Sequence, residues 1–120
     1  MSLPQRIQEL AGNALLAVEG QTSAIGETTL IAAPGAGMNI YLVVAQLQNE
    51  SATTQLLHLR QGNGAANNIW RFRAIGDGAL LNVVLPPWQA IRLGGNKALV
   101  LNLSAAAAVG YSIAYFVKRG

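Results

Sequence analysis

Asn68-Ile69-Trp70-Arg71-Phe72-Arg73-Ala74-Ile75 alternates bulky apolar side chains with arginines and then breaks on Gly76-Asp77-Gly78. Successive side chains of a strand point to opposite faces, so this stretch predicts a strand with Trp70, Phe72 and Ala74 on one face. Arg71 and Arg73 fall on the other. The same grammar extends on both sides. Upstream, residues 28–33 end at Pro34-Gly35-Ala36-Gly37, residues 39–49 are dense in Ile40, Tyr41, Val43 and Val44, and residues 53–61 end at Gly62-Asn63-Gly64. Downstream, residues 80–85 stop at Pro86-Pro87, residues 88–93 stop at Gly94-Gly95-Asn96, and residues 98–103 and 109–117 complete the set. Glycine, proline and asparagine clusters of this kind punctuate strands, and the glycine clusters read as hairpin turns. About eight short strands at this spacing predict an antiparallel β-sandwich, jelly-roll-like, with an immunoglobulin-like sandwich as runner-up. No run of helical length interrupts them, which speaks against a parallel βαβ arrangement.

The first 27 residues read differently. Ser2, Pro4, Ile7, Leu10 and Gly12 have the order of a brief capped helix. Residues 13–27 show no strong period beyond a short strand around 15–18. The expected organisation is therefore an N-terminal arm over 1–27, making assembly contacts or docking on its own subunit, and a β-sandwich domain over 28–120. A chain of 120 residues has room for one such domain.

Composition bears on function more than any motif does. Apolar residues make up 52% of the chain and charged residues only 11%, against about 25% in an ordinary soluble domain. Alanine accounts for part of this. The rest implies surface covered by other protein, since contiguous apolar patches on a monomer mark interfaces. The apolar runs, such as 41–45 and 105–109, fall far short of the roughly 20 residues of a spanning helix, and no signal-peptide pattern opens the chain. There is no cysteine, hence neither disulfide nor thiolate metal site. The net charge of +3 is too mild to imply nucleic acid by itself.

A search for chemistry finds little. One histidine, one aspartate and the glutamates Glu9, Glu19, Glu27 and Glu50 fall in the arm, in turns or singly on a strand. Nothing in the pattern brings two carboxylates to one bond, and no nucleophile-elbow glycines surround a serine. His58 reads as a polar residue on an outward strand face without a second metal ligand. No catalytic residue, cofactor or metal is expected. Trp70 to Arg73 could stack bases and hold phosphates only if aromatics and arginines shared a face, which alternation forbids. Nucleic acid is therefore an unfavoured partner. Arg71 and Arg73, as arginines on an outward face, are interface candidates. Ile7 and Leu10 of the arm are further candidates, as is Trp88, the one tryptophan expected in a loop and hence the residue a carbohydrate-binding sandwich would use.

Two phrases carry a resemblance. Thr29-Leu30-Ile31-Ala32-Ala33-Pro34-Gly35-Ala36-Gly37 leads into a long apolar strand. Asn96-Lys97-Ala98-Leu99-Val100-Leu101-Asn102-Leu103-Ser104-Ala105-Ala106 precedes the last one. Over roughly residues 28–117 the chain resembles small structural proteins of tailed-phage virions, in particular capsid decoration or cement proteins. The resemblance implies a non-enzymatic protein on the capsid surface. It would be a homo-oligomer, a trimer or else a dimer, that binds the major capsid protein and staples neighbouring subunits.

Overall fold

A computed structural model describes residues 15–76 and 78–119. The expected helix over 1–12, with Ile7 and Leu10, lies outside the described residues, as does Asp77. Nine strands are present: β1 (Leu16–Thr22), β2 (Gly26–Ile31), β3 (Met38–Asn49), β4 (Gln55–Gln61), β5 (Asn68–Ala74), β6 (Leu80–Val84), β7 (Ile91–Arg92), β8 (Leu99–Leu103) and β9 (Val109–Arg119). They form two antiparallel sheets, one ordered β1-β9-β3-β6 with β7 also on β3, the other β2-β8-β4-β5. Strands β6 and β7 lie along the same side of β3 and act as one edge strand, interrupted by residues 85–90. Counted so, the chain is one long antiparallel hairpin. β1 pairs β9, β2 pairs β8, β3 pairs β6 and β7, and β4 pairs β5, with successive pairs assigned to opposite sheets. This is the jelly-roll winding, and the expected all-β sandwich is what the chain forms.

The winding corrects two expectations. Of the three glycine clusters read as hairpins, Gly62-Asn63-Gly64 alone closes one, between β4 and β5. Gly76 and Gly78, and Gly94-Gly95, lie instead where the chain passes from one sheet to the other, because jelly-roll neighbours in sequence seldom pair. The sandwich also begins earlier than residue 28. Within the segment assigned to the arm, β1 is the outer strand of the five-stranded sheet, and β2 already starts at Gly26.

The core follows from side-chain parity. Leu57 and Leu59 of β4, Leu99, Leu101 and Leu103 of β8, and Val109 and Ile113 of β9 all point between the sheets and are almost fully buried. In β3 the inward residues are Ile40 and Leu42, then Ala45 and Leu47. That switch from even to odd numbers requires one extra residue, and the register against β9 shifts between Leu42 and Val44. A β-bulge at Val43 keeps both apolar sets on the core face. Trp70 and Phe72 of β5 pack against this core, while Arg71 and Arg73 are exposed, as alternation predicted.

The corners where strands change sheets expose backbone that needs partners. Asn49 ends β3 fully buried, its Nδ2 donating to the carbonyls of Thr53 (2.8 Å) and Ala74 (3.1 Å). Its Oδ1 accepts from the Ser51 hydroxyl at 2.8 Å. One side chain therefore ties the end of a strand in one sheet to the end of β5 in the other. Beside it, a Cβ on Gly76 would run into the Ala52 carbonyl, so the chain can pass there only without a side chain. Asn49→Ala should cost about 2–3 kcal/mol, because buried carbonyls lose their donor. Gly76→Ala should cost about 1–3 kcal/mol through forced backbone movement. Chemical denaturation of both variants, with unchanged slopes, is the measurement.

Candidate interaction surfaces

Three surfaces present functional side chains. The first is the edge formed by β6 and the 85–90 segment. Pro86 and Pro87 interrupt the ladder because proline has no N–H to give, and the chain makes a short 3-10 turn over Pro87–Gln89. The strand expected over 88–93 thus shrinks to Ile91–Arg92. Trp88 stands on the turn, 72% exposed. On β6 itself Leu80 and Val84 point away from the core and are 54% and 64% exposed. Ile75, just before the corner that leads into β6, is 68% exposed. Four of the six large hydrophobic residues exposed among the described residues therefore lie within residues 75–88.

The second surface is the outer face of the five-stranded sheet. Here β9 presents only small residues, Gly110, Ser112 and Ala114, and the floor is low. Glu19 of β1 stands on one side of the resulting groove, and Gln46, Gln48 and Leu80 on the other, around an open volume of about 470 Å³. Glu50 lies at one end, accepting from Gln21 Nε2 at 3.1 Å, and Gln46 Nε2 donates to Asn82 Oδ1 at 3.0 Å. Gly110 is needed for this arrangement, since a Cβ there would meet the Glu50 carboxylate. The sequence placed Glu19 in the arm and Glu50 at a turn. The winding brings both to one groove, a juxtaposition visible only once β1 is known to pair with β9. Farther along the same face Tyr41 and Phe116 stack with ring centroids 4.9 Å apart.

The third surface is the outer face of the four-stranded sheet. Arg60 reaches across β8 to Glu27 of β2, with Nη1 and Oε2 3.0 Å apart, and its Nε donates to Asn68 Oδ1 at 2.7 Å. The same Glu27 oxygen accepts from the Gly64 amide at 2.7 Å, which draws the β4–β5 loop over the sheet. Val100, outward-facing opposite Arg60, is buried beneath this cover. The Gly64 amide and the Arg60 guanidinium hold the Glu27 carboxyl below its ordinary acidity range. Arg71 and Arg73 extend the basic strip along β5.

His58 lies within that strip, opposite Arg71 on one side and Asn102 on the other. Its Nδ1 is buried without a partner. Burial, and then the positive charges of Arg60 and Arg71, push its pKa below the ordinary 6.5. Burial and these two arginines favour the neutral imidazole in the folded chain. The unfolded chain thus takes up this proton first, so stability conferred by neutral His58 is held above about pH 6.5 and lost as pH falls toward the lowered value. His58→Gln should flatten the stability profile below about pH 6.5, measured by urea unfolding at each pH.

Of the five residues expected at interfaces, the three described do not share one surface: Arg71 and Arg73 lie on the outer face of the four-stranded sheet and Trp88 on the turn between β6 and β7 of the other. Ile7 and Leu10 lie outside the described residues. Leu80, Val84 and Ile75, missed in the sequence, join Trp88. Their signal was there, in a β6 sequence without a single charge. Among the described residues, no three His, Asp or Glu side chains gather as a metal site, and no helix is long and apolar enough to cross a membrane. No family model and no curated protein matches the chain.

Proposed function

We propose that this chain is a non-enzymatic structural protein of a virion, a capsid decoration or cement protein. It sits as a homo-oligomer on the capsid surface and staples neighbouring major capsid subunits. The observation that carries the reading is the exposure of four large hydrophobic residues, Ile75, Leu80, Val84 and Trp88, within one segment of a small sandwich, two of them on the uncharged strand β6. Water-exposed apolar side chains gathered on one edge mark a surface that protein covers in the working assembly. The resemblance of residues 28–117 to decoration proteins supplies the kind of assembly. It favours a trimer, whereas an open strand edge favours two-fold pairing.

A decoration protein stabilises a shell by mass action, because it binds the assembled lattice and not the dissociated subunits. Purified chain added to shells stripped of their decoration should bind at saturable copy number and raise the shell's melting temperature. Trp88→Ala should weaken that binding on the order of tenfold, the usual loss for a buried aromatic anchor. Shells whose melting is unchanged by saturating protein would remove this reading. The exposure of Trp88 supports a second one, a carbohydrate-binding sandwich of a phage tail or fibre, in which the indole is the stacking platform. Glycan binding lost on Trp88→Ala would move the assignment there.

A further inference from the structure

The jelly roll leaves four sheet edges. One sheet is bounded by β1 and by β6 with β7, the other by β2 and β5. A free edge presents unpaired N–H and C=O groups, and monomeric proteins protect it with charges, proline or bulges. Three of these edges carry such protection within their strands: Glu19 on β1, Glu27 on β2, Arg71 and Arg73 on β5. On the fourth, β7 carries Arg92, but β6 reads Leu80-Leu81-Asn82-Val83-Val84 with no charge at all. It is the edge best suited to accept a strand.

We infer that the partner strand is β6 of a second copy, paired antiparallel across a two-fold axis at Asn82. This deepens the assembly reading by naming the self-interface, and it rests on that reading. The order of residues argues for a second copy over an unrelated partner. With Asn82 opposite Asn82, Leu80 meets Val84 and Leu81 meets Val83, so every apolar residue faces an apolar one and the single polar residue faces itself. Outward Leu80 and Val84, both more than half exposed in the lone chain, become neighbours on one face. Asn82 is prepared for its role. Its Oδ1 is oriented by Gln46 Nε2 at 3.0 Å, leaving the amide N–H groups to donate across the axis. No like charges oppose one another anywhere in the five-residue pairing, which a two-fold axis would otherwise enforce. An isologous contact of this kind closes on itself and specifies a dimer, in which the two outer sheets become one continuous sheet.

The full chain contains no cysteine, so single replacements report the register directly. Asn82→Cys should cross-link two copies under mild oxidation. Leu80→Cys should not link to itself, but a mixture of Leu80→Cys and Val84→Cys should give the mixed dimer, since disulfides form only where Cα atoms approach within about 7 Å. Sedimentation of the wild type should give a dimer at micromolar concentration. Val84→Lys and Leu80→Lys should weaken it on the order of tenfold or more with an unaltered circular dichroism spectrum, while Leu16→Lys on the β1 edge should leave it intact. A double variant with both lysines that self-associates as well as the wild type, or Asn82→Cys that links no faster than cysteine at exposed Asn63, would overturn the edge pairing and leave the assembly reading standing. Shell binding by a chain that remains monomeric would do the same.

Discussion

The packing of two leucine-rich sheet faces against each other is the contact on which the rest of the molecule depends. Leu57, Leu59, Leu99, Leu101 and Leu103 from one sheet meet Ile40, Leu42, Leu47 and Ile113 from the other, all nearly inaccessible to water. Fully burying each such side chain stabilises by roughly 1.5–3 kcal/mol, so losing any one of them is felt by the whole sandwich. The demand that every strand keep its apolar set on this inner layer explains the irregularities. It places a bulge at Val43 in β3 and an extra residue, Ile69, in β5 opposite Leu59 and Arg60. It also sets the winding, because an inner layer with two walls needs successive strands to change sheet. The corners then need Asn49 to satisfy the carbonyls they expose.

What could be read from the sequence was what depends on the two-residue period. The faces of Trp70, Arg71, Phe72 and Arg73 follow from alternation alone, and the strands from β2 to β9 follow from apolar runs bounded by turn residues. Of β1 the sequence showed only a short strand around 15–18, for a physical reason. By parity its core-side positions are Leu16, Val18, Gly20 and Thr22, but Leu16 is 43% exposed, and the place of an apolar side chain at Gly20 is taken by the ring of Tyr111 from the neighbouring strand. A Cβ at Gly20 would stand 2.8 Å from the Tyr111 hydroxyl. The apolar period therefore stops at Val18, and β9 completes the rest of the strand. The corner role of Asn49 was equally hidden, since a polar residue closing a strand reads as the start of a turn. The groove residues Glu19 and Glu50 come together only through the pairing of the first strand with the last.

The low charge of the chain has two separate structural expressions. One is the β6 edge, where apolar side chains had no inward place left. The core takes one face of β6, through Leu81 and Val83, and Leu80 and Val84 occupy the other by parity. A lone soluble domain would carry lysine or glutamate at those two positions. Their replacement by leucine and valine has no benefit to the inner layer, which they do not touch. It fits the covered edge proposed above.

The other expression is the outer face of the five-stranded sheet, coated with amides where charges are usual: Gln21, Gln46, Gln48 and Asn82. Amides are wetted well by water, yet removing them from water costs far less than removing a carboxylate or ammonium. They also find partners on the face itself, as Gln46 Nε2 does on Asn82 and Gln21 Nε2 on the Glu50 carboxylate, so most of its polar groups are already paired. The contrasting face holds the arginines, where Arg60 is already neutralised by Glu27 and buries Val100 beneath it. The two outer faces therefore differ: the five-stranded sheet joins amides and an uncharged β6 edge to the few charges around its groove, and the four-stranded sheet carries the basic strip of β5. The assembly proposed above would use the first, because amides and apolar side chains cost least to take out of water.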